Sequence, residues 1–350
     1  MKINKLVSYV SVALIFIALI FGYTLYRKAF TANTNFSEKS IYILVPTDAT
    51  HAQVQDSLKK YVKNYESLEN LFSKLGESAT VEPGRYLIEN GYSNYRIIKS
   101  LRHNVPVKLT FNNQETLQKL LERISSQVEP DIADLYQSFT EPAFLQEMGM
   151  TKDNVLAMCM PNTYEVYWNS SPLKIRNLLQ KSYQRFWNDE RKAKAKSLNL
   201  SPVEVSSLAA IVQKETAKVD ERPRVAGAYL NRLNRDMLLQ ADPTVVFAKK
   251  ALSNDFEQVI KRVYLKDLVL DHPFNTYKYK GVPKGLIAMP DESSIDAVLN
   301  AEKHNYIYFC ASVERMGYHE FASTIEEHAA NRDKYTAWLT KNNIKYKRLL

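Results

Sequence analysis

The side chain in this sequence best suited to chemistry is a carboxylate set where an apolar residue is expected. Ser201-Pro202-Val203-Glu204 supplies a capping hydroxyl, a proline at the first helical position and a glutamate at the third. That is a capping box, and it predicts a helix from Pro202 to about Ala217. Val205, Leu208, Ala209, Ile211 and Val212 are spaced as one apolar face. Glu215 follows Ile211 by four residues and Leu208 by seven, so it falls on that face, while Gln213 and Lys214 point elsewhere. An inward carboxylate is costly unless paired or protonated. Desolvation raises its pKa, which is what a general acid near neutral pH requires. The pattern also admits a structural salt bridge to Arg222, Arg224 or Arg232.

Other candidate chemistry is sparse. In Met160-Pro-Asn-Thr-Tyr-Glu-Val-Tyr-Trp168 the aromatics Tyr164, Tyr167 and Trp168 could stack on sugar faces or pack their rings into a core. Cys159 and Cys310 are the two cysteines; both sit in apolar surroundings and read as small buried hydrophobes, with a disulfide between them a further option. No Cys or His cluster has zinc spacing, so neither a catalytic metal nor another cofactor is expected. G-x-G-x-x-G, P-loop, G-x-S-x-G and H-E-x-x-H patterns are absent. S-x-x-K occurs at Ser57–Lys60 and Ser171–Lys174 without K-T-G, which speaks against a penicillin-binding enzyme.

The elements that must carry Glu215 begin with an apolar run. Leu6 to Tyr26 contains no charge and as a helix would span about 32 Å, the thickness of a bilayer core. Lys2 and Lys5 precede it, Arg27 and Lys28 follow, and Tyr9, Tyr23 and Tyr26 lie near its ends. An uncleaved anchor fits better than a signal peptide, because the run is long and no A-x-A site follows. The short basic N-terminus favours a cytoplasmic start, with the remainder of the chain on the other side of the membrane. The 350 residues carry 47 basic and 38 acidic side chains, a net charge of +9. That excess suits a polyanion: nucleic acid, anionic lipid or a wall polymer bearing carboxylates. An extracytoplasmic location removes chromosomal DNA.

The expected organisation is an α+β chain. Residues 1–30 form the cytoplasmic N-terminus and transmembrane anchor, and residues 31–39 a polar linker. Residues 40–112 form a small α+β module with strands near 41–45, 85–88 and 105–111 and a helix capped by Ser93. Residues 113–350 form a larger mixed domain, mostly helical to about Lys196. A last helix follows Ser323-Thr-Ile-Glu326, read as another capping box.

The ordered motifs around Glu215 resemble those of the MltG (YceG-like) family of endolytic murein transglycosylases. Leu208-Ala-Ala-Ile-Val-Gln-Lys-Glu-Thr216 is similar to its L-A-S-I-V-E-K-E-T signature. Arg222 to Leu233 resembles its helix ending in N-R-L, and Met237-Leu-Leu-Gln-Ala-Asp-Pro-Thr-Val245 its M-x-L-Q-x-D-P-T-V run. Asn275-Thr-Tyr277, Gly281 to Pro290, Tyr306 to Phe309 and His319 to Phe321 match further family segments. The first glutamate of E-K-E is Gln213 here, which leaves Glu215 as the catalytic candidate.

The resemblance implies a lytic transglycosylase in which Glu215 protonates the leaving GlcNAc oxygen. It would then deprotonate the MurNAc C6 hydroxyl, giving 1,6-anhydro-MurNAc ends within glycan strands. Asn231, Arg232, Gln240, Asp242, Thr244, Asn275 and Tyr277 would line the cleft, bind N-acetyl and hydroxyl groups or orient Glu215. Asp242-Pro243 reads as a turn that aims these groups, and each residue could equally brace the loop. The resemblance further implies a LysM-like small module around Gly84-Arg-Tyr-Leu-Ile88, action at the cell (inner) membrane on the periplasmic side, termination of nascent strands and work beside penicillin-binding synthases. A muramidase using Glu215 with Asp242, or a non-catalytic wall-binding scaffold, are the competing classes.

Overall fold

A charge-free apolar run from Leu6 to Tyr26 and the absence of proline let the first element form a single helix, α1 (Lys2–Phe30). Its segment Val7–Phe30 is long and apolar enough to cross a membrane, with a mean hydropathy of 2.1. The computed structural model describes residues 2–75 and 81–342, and residues 2–6 by backbone only, so the flanking charges Lys2 and Lys5 lie outside the described side chains.

The chain folds as two units. One takes the described residues up to Leu109 together with Gln127–Pro130 and Tyr164–Ser170. The other takes Thr110–Ser126, Asp131–Thr163 and the described residues from Ser171 on.

In the first unit, β1 (Ser40–Val45), α2 (His51–Lys59), α3 (Tyr65–Lys74), β2 (Gly84–Glu89) and α4 (Asn94–Ser100) follow α1. β1 and β2 pair antiparallel, with Ser40 opposite Glu89 and Val45 opposite Gly84. Alternate strand residues Ile43, Val45, Tyr86 and Ile88 meet Leu58, Leu68, Ile97 and Ile98 of the helices in one apolar core. The polar stretch after α1 is not a free linker. Asn33 and Thr34 are buried. Asn33 N–H donates to Tyr92 O at 2.8 Å, and its amide reaches Asn64 O at 2.9 Å and Asn94 Oδ1 at 2.6 Å. Asn94 in turn donates to Lys28 O at 2.8 Å, and the Phe30 and Tyr95 rings lie 5.4 Å apart. The helix end is thereby fastened to α4.

The remaining elements are β3 (Pro106–Phe111), α5 (Leu117–Ser125), α6 (Ile132–Phe139), α7 (Pro142–Met148), β4 (Asn162–Tyr167), α8 (Pro172–Phe186), α9 (Asp189–Ser197), α10 (Pro202–Glu215), α11 (Arg222–Asn234), α12 (Asp242–Ser253), α13 (Glu292–Leu299), β5 (Tyr308–Ala311), β6 (His319–Ala322) and α14 (Ile325–Lys341). β3 pairs with β4, and β5 with β6 as an antiparallel hairpin. On β4, Tyr164 is buried and Tyr167 exposed, so the two rings take opposite environments. The cap of α14 is Thr324 with Glu327, one residue later than the sequence pattern suggested. Cys159 and Cys310 are not joined to each other: Cys159 is buried, its thiol pushed up by desolvation, and Cys310 lies on β5.

α10 is the axis of the second unit. Every residue from Val205 to Val212 is buried, not one stripe alone. Ser206 and Ser207 make this possible by satisfying their hydroxyls inside the protein: Ser206 to Pro202 O at 2.9 Å, Ser207 to Pro283 O at 3.0 Å and Gly285 O at 2.8 Å. Gly285 itself must lack a side chain, since a Cβ there would run into the Asp153 carbonyl.

Candidate functional site

Capping Ser201 starts α10 as expected, with its hydroxyl accepting from Glu204 N–H at 3.2 Å and Glu204 Oε2 accepting from Ser201 N–H at 2.8 Å. The helix stops at Glu215, short of Ala217, because Thr216 turns extended (φ −131°, ψ 131°). What holds Thr216 there comes from elsewhere in the chain. Its Oγ1 donates to Glu221 Oε2 at 2.8 Å. Glu221 is buried and also accepts from His319 N–H at 2.7 Å, with His319 Nδ1 3.0 Å away. A buried carboxylate satisfied in this way makes a rigid stop, because losing any donor would leave it exposed to a desolvation cost.

Glu215 therefore sits at a helix end, on the floor of a cleft. Water reaches it through the mouth, so part of its surface is accessible, yet protein atoms crowd the carboxylate on the other sides. Tyr229 of α11, 2% exposed, donates its hydroxyl to Glu215 Oε2 at 3.2 Å. Burial pushes the Glu215 pKa up to about 7; the negative charge of Asp242 adds to the rise, the Tyr229 hydrogen bond opposes it, and Glu221 adds a smaller push. Burial likewise pushes the Tyr229 hydroxyl well above the usual tyrosine range, with the Glu215 charge adding, so Tyr229 stays a donor. Across the cleft lining, Tyr277 donates to Asp242 Oδ1 at 2.6 Å, and its hydroxyl is raised by burial and then by the Asp242 charge.

The cleft has a volume of about 540 Å³, within the usual ~300–1,000 Å³ range of ligand pockets. Pro243, Val246, Phe247, Leu268 and Ile287 give it an apolar wall. Glu115 joins two cations on its lining: Lys214 Nζ at 3.0 Å and Lys250 Nζ at 2.7 Å. The hydrogen bonds from these lysines outweigh the desolvation that would raise the Glu115 carboxyl, and it stays below the usual carboxylate range. Lys261 and Arg262 add further positive charge to the lining.

Of the residues singled out in the sequence, Glu215, Asp242 and Tyr277 share this cleft. The others carry hydrogen bonds inside the protein. Asn231 donates to His304 O at 2.7 Å and Tyr306 O at 2.9 Å. Arg232 donates to Leu238 O and Ile307 O, each at 2.8 Å, and to Gln240 Oε1. Asn275 donates to Leu268 O at 2.9 Å and Leu270 O at 2.8 Å. Thr244 donates to Ala241 O at 2.7 Å and meets Thr276 Oγ1 at 2.9 Å. Asp242-Pro243 does not form a turn; the pair opens α12, and the change of direction falls at Gln240, whose φ is +54°. Gln213 faces α13, its Oε1 accepting from Asp291 N–H at 2.6 Å and Ser294 Oγ at 2.8 Å. Sequence reasoning missed Tyr229, Glu115, Lys214, Lys250 and Glu221. For Tyr229 a signal existed: a tyrosine on the buried face of a helix must find a partner for its hydroxyl. Among the described residues no group of three or more His, Cys, Asp or Glu side chains converges as a metal site would.

Fold and site together define an α+β protein that holds one proton-retaining carboxylate in an open, mixed-polarity cleft. The chain belongs to the YceG-like family, whose sequence profile matches residues 43–334. It is similar to the Endolytic murein transglycosylase of Bacillus subtilis, 34% identical over 144 residues that make up 41% of this chain and 38% of that protein. It is also similar to the protein of the same name in Streptococcus pneumoniae, 34% identical over 136 residues, 39% of this chain and 24% of that protein. The matched stretches thus span well under half the length of these relatives. The crystal structure of a yceG-like protein from Listeria monocytogenes has the same fold, with a TM-score of 0.56, 25% identity, and coverage of 84% of this chain and 99% of that one.

Proposed function

We propose that this chain is an endolytic lytic transglycosylase of peptidoglycan, cleaving the MurNAc-β-1,4-GlcNAc bond with Glu215 as its acid and base. One observation carries the reading: Glu215 lies on the floor of a solvent-open cleft with its pKa pushed up to about 7, so it holds a proton near neutrality and can give it up. Glycosidases ordinarily need a second carboxylate as nucleophile or water-activating base. An intramolecular nucleophile removes that need. With Glu215 protonating the GlcNAc oxygen and then accepting the proton of the MurNAc C6 hydroxyl, the product is a 1,6-anhydro end and no water is consumed. The ring-borne hydroxyl acts at a high effective concentration. Tyr229 orients the carboxylate; Asp242, held by Tyr277, keeps its pKa high and faces positive charge developing at the anomeric carbon. Arg232, Gln240, Thr244 and Asn275 brace the segments that carry Asp242 and Tyr277, and Asn231 ties α11 to His304 and Tyr306.

In this reading α1 anchors the chain by a single pass with the cleft on the periplasmic side, the small first unit is LysM-like, and cleavage terminates nascent strands beside penicillin-binding synthases. The names of the relatives support murein as the substrate, and the apolar length of α1 supports the single-pass anchor. A second reading, hydrolysis with Asp242 directing water, draws on the presence of Asp242 on the same cleft wall. Mass spectrometry of sacculi digested by the full chain separates the two. Anhydro-MurNAc ends from the wild type, falling at least ~100-fold in Glu215→Gln, are expected; reducing MurNAc ends would favour Asp242-directed hydrolysis, and an undiminished rate in the variant would refute both.

A further inference from the structure

The net charge of +9 suits a polyanion, and part of it lies on an irregular segment of the cleft wall. Between α12 and the short helical turn at Leu265–Asp267 the chain runs without regular structure, and this stretch is pinned at each end. At its start, the Phe256 ring packs 5.6 Å from Phe247, Lys250 reaches Phe256 O at 3.4 Å, and Glu257 pairs with Lys119. At its end, Tyr264 N–H donates to Asp267 Oδ2 at 2.9 Å, an oxygen that also binds Lys249 at 2.8 Å. The arch between these pins contributes Ile260, Lys261, Arg262 and Val263 to the cleft lining.

The cations of the cleft differ in how they are matched. Lys214 and Lys250 share the Glu115 carboxylate. Lys261 and Arg262 are exposed, and among the described residues neither has a carboxylate partner. Adjacent unmatched cations on a braced arch beside a glycan-sized cleft are suited to an anion arriving with the substrate, and a guanidinium next to an ammonium suits a carboxylate in particular. A peptidoglycan strand offers that group at every muramic acid, as the free lactyl carboxylate or as the carboxylates of its stem peptide. Hydroxyl and N-acetyl groups carry no charge that would need them.

We infer that Lys261 and Arg262 form a carboxylate subsite that reads the anionic substituent of muramic acid and sets which sugar enters the cleft beside Glu215. This inference rests on peptidoglycan being the substrate. It adds specificity without touching the proton-transfer step.

The test measures binding rather than turnover. The full chain carrying Glu215→Gln, in detergent, is co-sedimented with sacculi stripped of wall phosphate polymers, at low and at high ionic strength. Adding Lys261→Ser and Arg262→Ser should weaken binding about five- to tenfold at low salt and flatten its salt dependence. Sacculi whose carboxylates have been amidated should show the same loss with the unsubstituted arch and no further loss with the substituted one. Equal binding by the substituted arch, an equal extra loss on amidated sacculi, or binding that appears only before the phosphate polymers are stripped would each overturn the subsite. The catalytic reading stands apart: if the wild type makes no cut ends while this binding pattern holds, the proposed reaction fails and the subsite survives.

Discussion

The two ends of α10 each place a glutamate, and the two glutamates live in opposite conditions. Glu204 lies in the first turn, where its carboxylate accepts from the Ser201 N–H and hydroxyl and sits in the favourable field of the helix N-terminus. Glu215 lies in the last turn, where that field repels a negative charge, with Tyr229 as its hydrogen-bond donor and Asp242 and Glu221 as carboxylate neighbours. One end is arranged for an anion and the other against one. Stability is gained at the first and given up at the second, the usual sign of a place where a side chain is held for use.

The largest effect that would sharpen this contrast concerns the stop rather than the acid. Glu221→Ala removes the acceptor for Thr216 Oγ1 and for His319 N–H, and leaving those groups unsatisfied should cost about 3 kcal/mol, read by denaturant unfolding of the soluble part. A loss under ~1 kcal/mol would mean that α10 ends where it does without Glu221.

Glu215→Gln should act in the other direction. A carboxyl whose folded pKa is raised from 4.5 to about 7 binds its proton more tightly folded than unfolded, so the folded state is penalised increasingly as pH climbs through that window. The amide variant should thus be more stable than wild type by about 1–3 kcal/mol at pH 8 and equal to it at pH 4. Identical pH dependence of the melting temperature in the two proteins would erase the difference between the ends of the helix.

Ser201→Ala should cost about 1 kcal/mol through the lost cap, with cleavage rates unchanged, because the N-terminal end does no chemistry. The smallest expected change is a displacement along the pH axis. Asp242→Asn removes a charge that raises the Glu215 pKa, so the alkaline limb of the rate profile should move to lower pH. A limb that stays in place would separate Asp242 from the proton-holding function.

The comparison also explains what the sequence disclosed. The start of α10 is written in four consecutive residues and could be read directly. Its end could not, because Thr216 is held by Glu221 and Glu221 by His319, 98 residues further on. Asp242-Pro243 suits a turn and a helix start equally well. The choice is made by Gln240 and by Thr276, whose hydroxyl accepts from Ala241 N–H at 3.0 Å across a separation of 35 residues. Glu215 was legible because an acid on an apolar face stands out; Lys214, Lys250 and Glu115 were not, because surface-type residues assemble a cleft only once the chain is folded. The hydrogen bonds of the short linker 31–39 were not legible for a related reason: a run of Asn, Thr and Ser has the composition of a tether, while amide side chains are also good at replacing backbone hydrogen bonds.

That last feature has a mechanical meaning. A transmembrane helix followed by slack chain lets its cargo wander over a hemisphere. Here Lys28 and Phe30 are already gripped by Asn94 and Tyr95, so in a bilayer α1 would act as a post and the first unit would ride on it at one height and one bearing. Spacing from the lipid surface would then be a property of the fold, and a few flexible residues inserted after Phe30 would abolish it.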